Sequence, residues 1–166
     1  MKRTDMLAKA KEDKEFQEII KDIINHPEVQ KMKNYKSHGE TTCFSHCYTV
    51  SYFCYLTCKK RNLDYKSAAR AGMLHDFYLY DWRIKDSHVR PHAFTHPMTS
   101  YLNAKKYFEL NWVEKDMILT HMFPITLFSI PLCKEGWILT MIDKSCATLE
   151  LFDSLKLKIL HSIKTN

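Results

Sequence analysis

Three glycines in 166 residues constrain this chain more than any other feature. Average usage of about 7% would give roughly a dozen. Sheet-rich folds place glycine in their tight turns, so a chain this poor in glycine points to helices. Gly39, Gly72 and Gly136 also stand far apart, which excludes a glycine-rich phosphate-binding loop. The length suits one domain, residues 1–166, with a real hydrophobic core. Apolar residues at 45% and charged residues at 27% belong to a folded protein and not to a disordered one.

The most apolar stretch, residues 118–133, is interrupted by His121, Pro124, Ser129 and Pro131 and is too short to span a bilayer. Residues Lys2 to Glu18 are dense in charge with no apolar run behind them, so no secretory signal is expected. Six cysteines without a secreted context read as reduced thiols, and the expected location is the cytoplasm. The net charge of +6 suits a small anionic partner, and a solvated surface equally well. Neither a membrane nor a nucleic-acid polymer is expected as a partner; a homodimer is compatible with the sequence.

The hydrophobic pattern is helical throughout. Residues 4–24 carry Phe16, Ile19, Ile20, Ile23 and Ile24 on one stripe and predict a single helix packed on a core that spans about residues 25–150. Pro27 opens a short helix to about Tyr35. Thr41 or Thr42 caps the next, to about Lys60, whose inner face is Cys43, Cys47, Val50, Cys54 and Cys58. Asp64 caps a helix to about Phe77. Residues 78–94 predict a long aromatic and basic loop. Thr95 caps a helix from His96-Pro97 to near Leu110, and Asn111 with Glu114 forms a capping box for a helix to about Met122. The last helix runs from about Lys134 to His161. Its first half is apolar nearly all round, which predicts a buried central helix.

Two aspartates conflict with this greasy setting. Asp76 follows His75 at the end of an apolar helix, and Asp143 has Leu139, Cys146 and Ala147 as its helical neighbours. A buried carboxylate must be paired or hold a metal, since leaving it bare costs several kcal/mol or more. Histidines at helix ends can supply the partner. His46 lies one turn into its helix and His75 near the end of the next, so antiparallel packing brings them level. His96 opens one helix, and His121 closes the one after it. Imidazole plus carboxylate suits Mn, Fe, Co, Ni or Zn, and the two oxygens of Asp76 can bridge two ions.

The order His46, His75-Asp76, His96, His121, Asp143 resembles the HD-domain superfamily of metal-dependent phosphohydrolases, in particular its dinuclear members. The surrounding words Ala71-Gly-Met-Leu-His-Asp76, Phe94-Thr-His-Pro97 and Ile142-Asp-Lys144 are similar as well. The resemblance implies an all-α, single-domain HD-type helical bundle. It implies that His46, His75, Asp76 and Asp143 hold one ion, with Asp76 bridging to a second held by His96 and His121. His75 and Asp76 then belong to the catalytic centre, and a metal-bound hydroxide is the nucleophile. The implied reaction is hydrolysis of a phosphate ester or anhydride of a small molecule, with a nucleotide as the expected substrate. Some relatives with this ligand series are mixed-valent di-iron oxygenases, which is the first alternative. A non-enzymatic ligand-binding or regulatory protein that kept the site is the second.

Many family members place a lysine shortly after the His-Asp pair, where it contacts phosphate. Here the stretch His75 to Trp82 contains none. Substrate contacts are therefore expected from Trp82, Arg83, Lys85, Arg90, His92 and Lys144. The cysteine stripe is no zinc site, because Cys43 to Cys58 spans roughly 22 Å of helix and one ion cannot reach all four; core packing is expected. His26, His38 and His161 are expected at the surface, His38 near the mouth of the helix bearing His46.

Overall fold

The computed structural model describes residues 3–84 and 91–165; among these there are helices and no strand. The N-terminal stretch forms two helices and not one, α1 (Arg3–Glu12) and α2 (Lys14–Ile24). The break falls at Asp13, whose carboxylate accepts the Phe16 amide at 3.0 Å and so starts α2 afresh. Phe16, Ile20 and Ile23 are then wholly buried. A short α3 (Pro27–Gln30) runs into a 3₁₀ turn (Lys31–Asn34).

Helix α4 (Cys43–Lys60) begins where its cap predicts, with the Thr42 hydroxyl accepting the Ser45 amide at 3.2 Å. Cys43, Cys47, Val50, Cys54 and Cys58 all lie in the core, as a stripe of that spacing must. All six cysteines are buried thiols with no disulfide among them. Helix α5 (Tyr65–Leu74) starts at Asp64 and returns antiparallel beside α4. Their axes come close because Gly72 faces Ser51, with a Cβ at position 72 standing 2.6 Å from the Ser51 Cα. The Ser51 hydroxyl donates to the Ala69 carbonyl at 2.6 Å and ties the same crossing.

Helix α6 (His92–Tyr107) begins one turn earlier than Pro97 suggests. Pro91 supplies the start, and Pro97 sits inside the second turn. Helix α7 (Trp112–Thr120) carries the expected capping box, with reciprocal 2.9 Å bonds between Asn111 and Glu114. Asn111 also donates to the Ser67 hydroxyl at 2.7 Å and so docks α7 on α5. Asn111→Ala is expected to cost about 1 kcal/mol, the usual value of an N-cap, read as a shifted midpoint in urea.

Helix α8 (Lys134–Thr165) is not buried all round. It packs one face on α4, α5 and α7, burying Ile138, Leu139, Asp143, Cys146 and Glu150, while Trp137, Met141 and Leu149 face outward. The buried central helix is α4, packed against α5 and α8, with Phe16 of α2 set against its Tyr48, Tyr52 and Tyr55. Gly39 has a φ of +58° and turns the segment before α4 onto α8, where an added Cβ would meet the Ser154 Cβ at 2.6 Å. No helix among the described residues is long and apolar enough to cross a membrane.

Candidate metal centre

Five helix positions converge in the space between α4, α5, α6, α7 and α8. His46 projects from the first turn of α4, His75 and Asp76 follow the end of α5, His96 lies in the second turn of α6, His121 caps α7, and Asp143 lies mid-α8. All six side chains are buried. The six residues proposed as ligands from the sequence thus stand together.

Each imidazole is anchored through Nδ1. That atom bonds the Gly72 carbonyl at 2.9 Å in His75, the His92 carbonyl at 2.9 Å in His96 and the Ile118 carbonyl at 2.8 Å in His121. In His46 it meets the Glu150 carboxylate at 3.0 Å. An Nδ1 that faces an acceptor carries a proton, so Nε2 of every ring points inward as the atom open to a metal, the arrangement metal-bound histidines adopt.

The inward atoms form overlapping triads. The Nε2 of His46 lies 2.9 Å from Asp143 Oδ1, and that of His75 lies 3.4 Å from the same oxygen. His75 Nε2 is also 3.7 Å from Asp76 Oδ2. On the other side Asp76 Oδ1 faces His96 Nε2 at 3.1 Å and His121 Nε2 at 3.4 Å. The carboxylate of Asp76 therefore divides its two oxygens between two groups of histidines. Ligand atoms about 2.1 Å from one ion lie roughly 3–3.5 Å apart, which is the spacing seen here.

Two details favour a cation between these groups. His96 Nε2 and His121 Nε2 approach to 2.9 Å. With both Nδ1 atoms protonated, this sets two lone pairs against each other unless positive charge lies between them. In addition, His75 Nε2 and Asp76 Oδ1 are buried without a well-aligned hydrogen-bond partner, a costly state for polar atoms in a dry interior. The overlapping triads can hold one or two metal ions.

The electrostatics express the same demand. Burial opposes charge on His46, yet its bonds to Asp143 and Glu150 outweigh burial and hold its pKa well above the usual histidine range. Burial likewise opposes ionisation of Asp76 and Asp143, and the surrounding histidines still hold both carboxyls well below their usual range. His96 is raised by Asp76 against the effect of burial, while burial lowers its neighbour His121.

Glu150 is a residue the sequence reading did not single out. It lies seven residues, about two turns, after Asp143 on the same face of α8 and orients His46 from outside the cage. Its carboxylate fixes the tautomer of that ring. Glu150→Gln is expected to weaken divalent-metal binding by about 10–100-fold, the usual effect of losing such a partner, with the fold retained; titration against a chelator-buffered metal measures it.

A cleft of about 320 Å³ opens onto Asp76, His96, His121 and Asp143. Among the predicted contact residues, Trp82, His92 and Lys144 line it. The His92 ring stacks on His96 at 4.5 Å and Trp82 stacks on His92 at 5.6 Å, so His92 is a wall of the cage and not one of its triads. The Lys144 ammonium donates to the His121 carbonyl at 2.7 Å. Arg83 does not line the cleft; it pairs with Asp81 at 2.6 Å on the surface. Lys85 and Arg90 lie outside the described residues. His38 is not a plain surface group: its ring sits 5.2 Å from that of His46, and it lines the cleft.

Comparison with known proteins supplies no name for this arrangement: no family model, curated protein or solved structure matches the chain.

Proposed function

We propose that this protein is a metal-dependent phosphohydrolase of the HD-domain type, cleaving a phosphate ester or anhydride of a small molecule; a nucleotide is one such compound. The observation that supports the reading most is the divided carboxylate of Asp76, one oxygen toward His75 and the other toward His96 and His121. Asp76 would bridge two divalent transition ions (Fe, Mn, Co, Ni or Zn), with His46, His75 and Asp143 on one side and His96 and His121 on the other. When bound, such ions would supply a water of lowered pKa and positive charge for the attacked phosphoryl group and its leaving oxygen.

The chain's own residues do the rest. The four Nδ1 anchors hold the rings rigid, so the cage is organised before substrate arrives. His75 and Asp76 would form the catalytic pair, Asp76 facing the cleft and His75 buried behind it. Lys144 and His92 stand at the cleft wall within reach of an anionic group, and Tyr78 and Trp82 cover the site and restrict water.

The test is turnover by the Mn- or Co-loaded protein across a panel of phosphate esters and nucleotides without oxygen. Phosphate release that vanishes in His75→Ala supports the hydrolase. Activity that requires reducible iron and oxygen assigns the site to the oxygenase alternative. Ligand-induced thermal shifts without turnover of any compound assign it to a binding protein.

A further inference from the structure

The cleft over the cage has walls of unequal character. Asp143, Ala147 and Leu151 lie at four-residue steps along α8, so the helix face that offers the carboxylate continues as an apolar strip. By helical rise, Leu151 stands about 12 Å along the axis from Asp143. Met122 and Ile125, one and four residues after His121, line the same cleft. Leu151 and Ile125 remain about half exposed, at 49% and 50%, so an apolar ligand group would take both out of water. Tyr78 and Trp82 close the inner end.

Among the described residues, the walls carry little formal positive charge. Lys144 is the one lysine or arginine among the described lining residues, and one of its three N–H groups donates to the His121 carbonyl. A di- or triphosphate brings several negative charges, and sites that bind one gather several cationic side chains or backbone amides around it. A single phosphoryl group needs no more than the cage itself.

Resting on the phosphohydrolase reading, we propose that the substrate is a phosphomonoester whose organic part is apolar, an alkyl or aryl group lying between Ile125 and Leu151. In the reaction, water adds to phosphorus and the bond from phosphorus to the ester oxygen breaks. That oxygen takes up a proton from the water, giving an alcohol or phenol and inorganic phosphate.

The test uses the full chain loaded with Mn. Calorimetry compares hexylphosphonate with methylphosphonate, and phosphate release compares hexyl phosphate with glycerol phosphate, AMP and ATP. Each fully buried methylene is worth about fourfold in affinity, so five half-buried ones predict hexylphosphonate binding roughly 30-fold tighter. Leu151→Asp is expected to bring that ratio below about threefold, with circular dichroism as the check on folding. Equal binding of the two phosphonates, or faster turnover of glycerol phosphate, AMP or ATP than of hexyl phosphate, overturns the proposal. A Leu151→Asp protein that loses a dimer seen in sedimentation, together with equal phosphonate binding, gives the apolar wall to a second copy and also overturns it. Tight hexylphosphonate binding with no ester hydrolysed overturns the hydrolase reading instead and leaves the apolar preference of the cleft in place.

Discussion

Asp76→Ala is expected to empty both metal positions of the cage, whereas His121→Ala empties one. The difference follows from where the oxygens point. Asp76 Oδ1 is shared by His96 and His121, and Asp76 Oδ2 faces His75. Losing an outer partner of a ligand already costs 10–100-fold in metal affinity, so losing a ligand common to both positions should cost more than ~100-fold at each. Elemental analysis after dialysis against a chelator-buffered metal measures this directly. His121→Ala leaves His46, His75, Asp76 and Asp143 in place and should retain the ion on their side. Asp76→Asn keeps one carbonyl oxygen and should fall between the two. Wild-type metal content in Asp76→Ala would remove the bridging role and the hydrolase reading with it.

Gly72→Ala is expected to lower the thermal midpoint by roughly 4–8 °C. Two effects oppose each other here. Alanine improves helix propensity by about 1 kcal/mol. Against that, its Cβ would stand 2.6 Å from the Ser51 Cα and 3.1 Å from the Ser51 nitrogen, both backbone atoms of α4 that no rotamer change can move. Overpacking of this kind costs about 3 kcal/mol at the upper end of its usual range. The net of about 2 kcal/mol converts at 2–4 °C per kcal/mol for a protein of this size. Forcing α4 and α5 apart also separates His46 from His75, which follows Gly72 by three residues and is hydrogen-bonded to its carbonyl. Metal affinity should therefore fall together with stability. An unchanged or raised midpoint would mean that propensity wins and that the crossing is looser than described.

At three helix starts sequence and structure agree, whereas the Thr95 cap expected for α6 falls inside that helix. Thr42, Asp64 and the Asn111–Glu114 pair start helices because a side-chain oxygen must satisfy an otherwise unbonded amide, and that requirement is local. The break at Asp13 was harder to read, because an aspartate within Lys11-Glu12-Asp13-Lys14 is equally at home on an exposed helix face. Pro97 misplaced the start of α6 because it is a strong first-turn signal, while the helix in fact begins after Pro91, six residues earlier. The reading of α8 failed for another reason. Trp137 and Met141 are apolar but face outward, and hydrophobicity alone does not say which side of a helix meets a partner.

The cage was legible because each of its members contradicts its surroundings. Asp76 and Asp143 are carboxylates on apolar faces, and four histidines sit at helix ends in an order that matches them. Glu150 was not legible in that way. It lies near the charged, solvent-facing half of α8, and its burial and contact with His46 Nδ1 distinguish it from a surface acid. His38 belongs to an irregular turn with no periodicity to place its ring, and the Gly39 conformation that carries it to the cleft depends on the packing of Ser154. Arg83 looked like a phosphate contact by charge alone, while its position beside Asp81 satisfies it at the surface.

The most direct measurement is anomalous diffraction at the metal edge from Mn-loaded crystals. Two peaks about 3.5–4 Å apart are predicted, one against His46, His75 and Asp143, the other against His96 and His121, with a different oxygen of Asp76 touching each. Histidine rings that keep their present positions in metal-loaded crystals with no anomalous density between them would contradict the account.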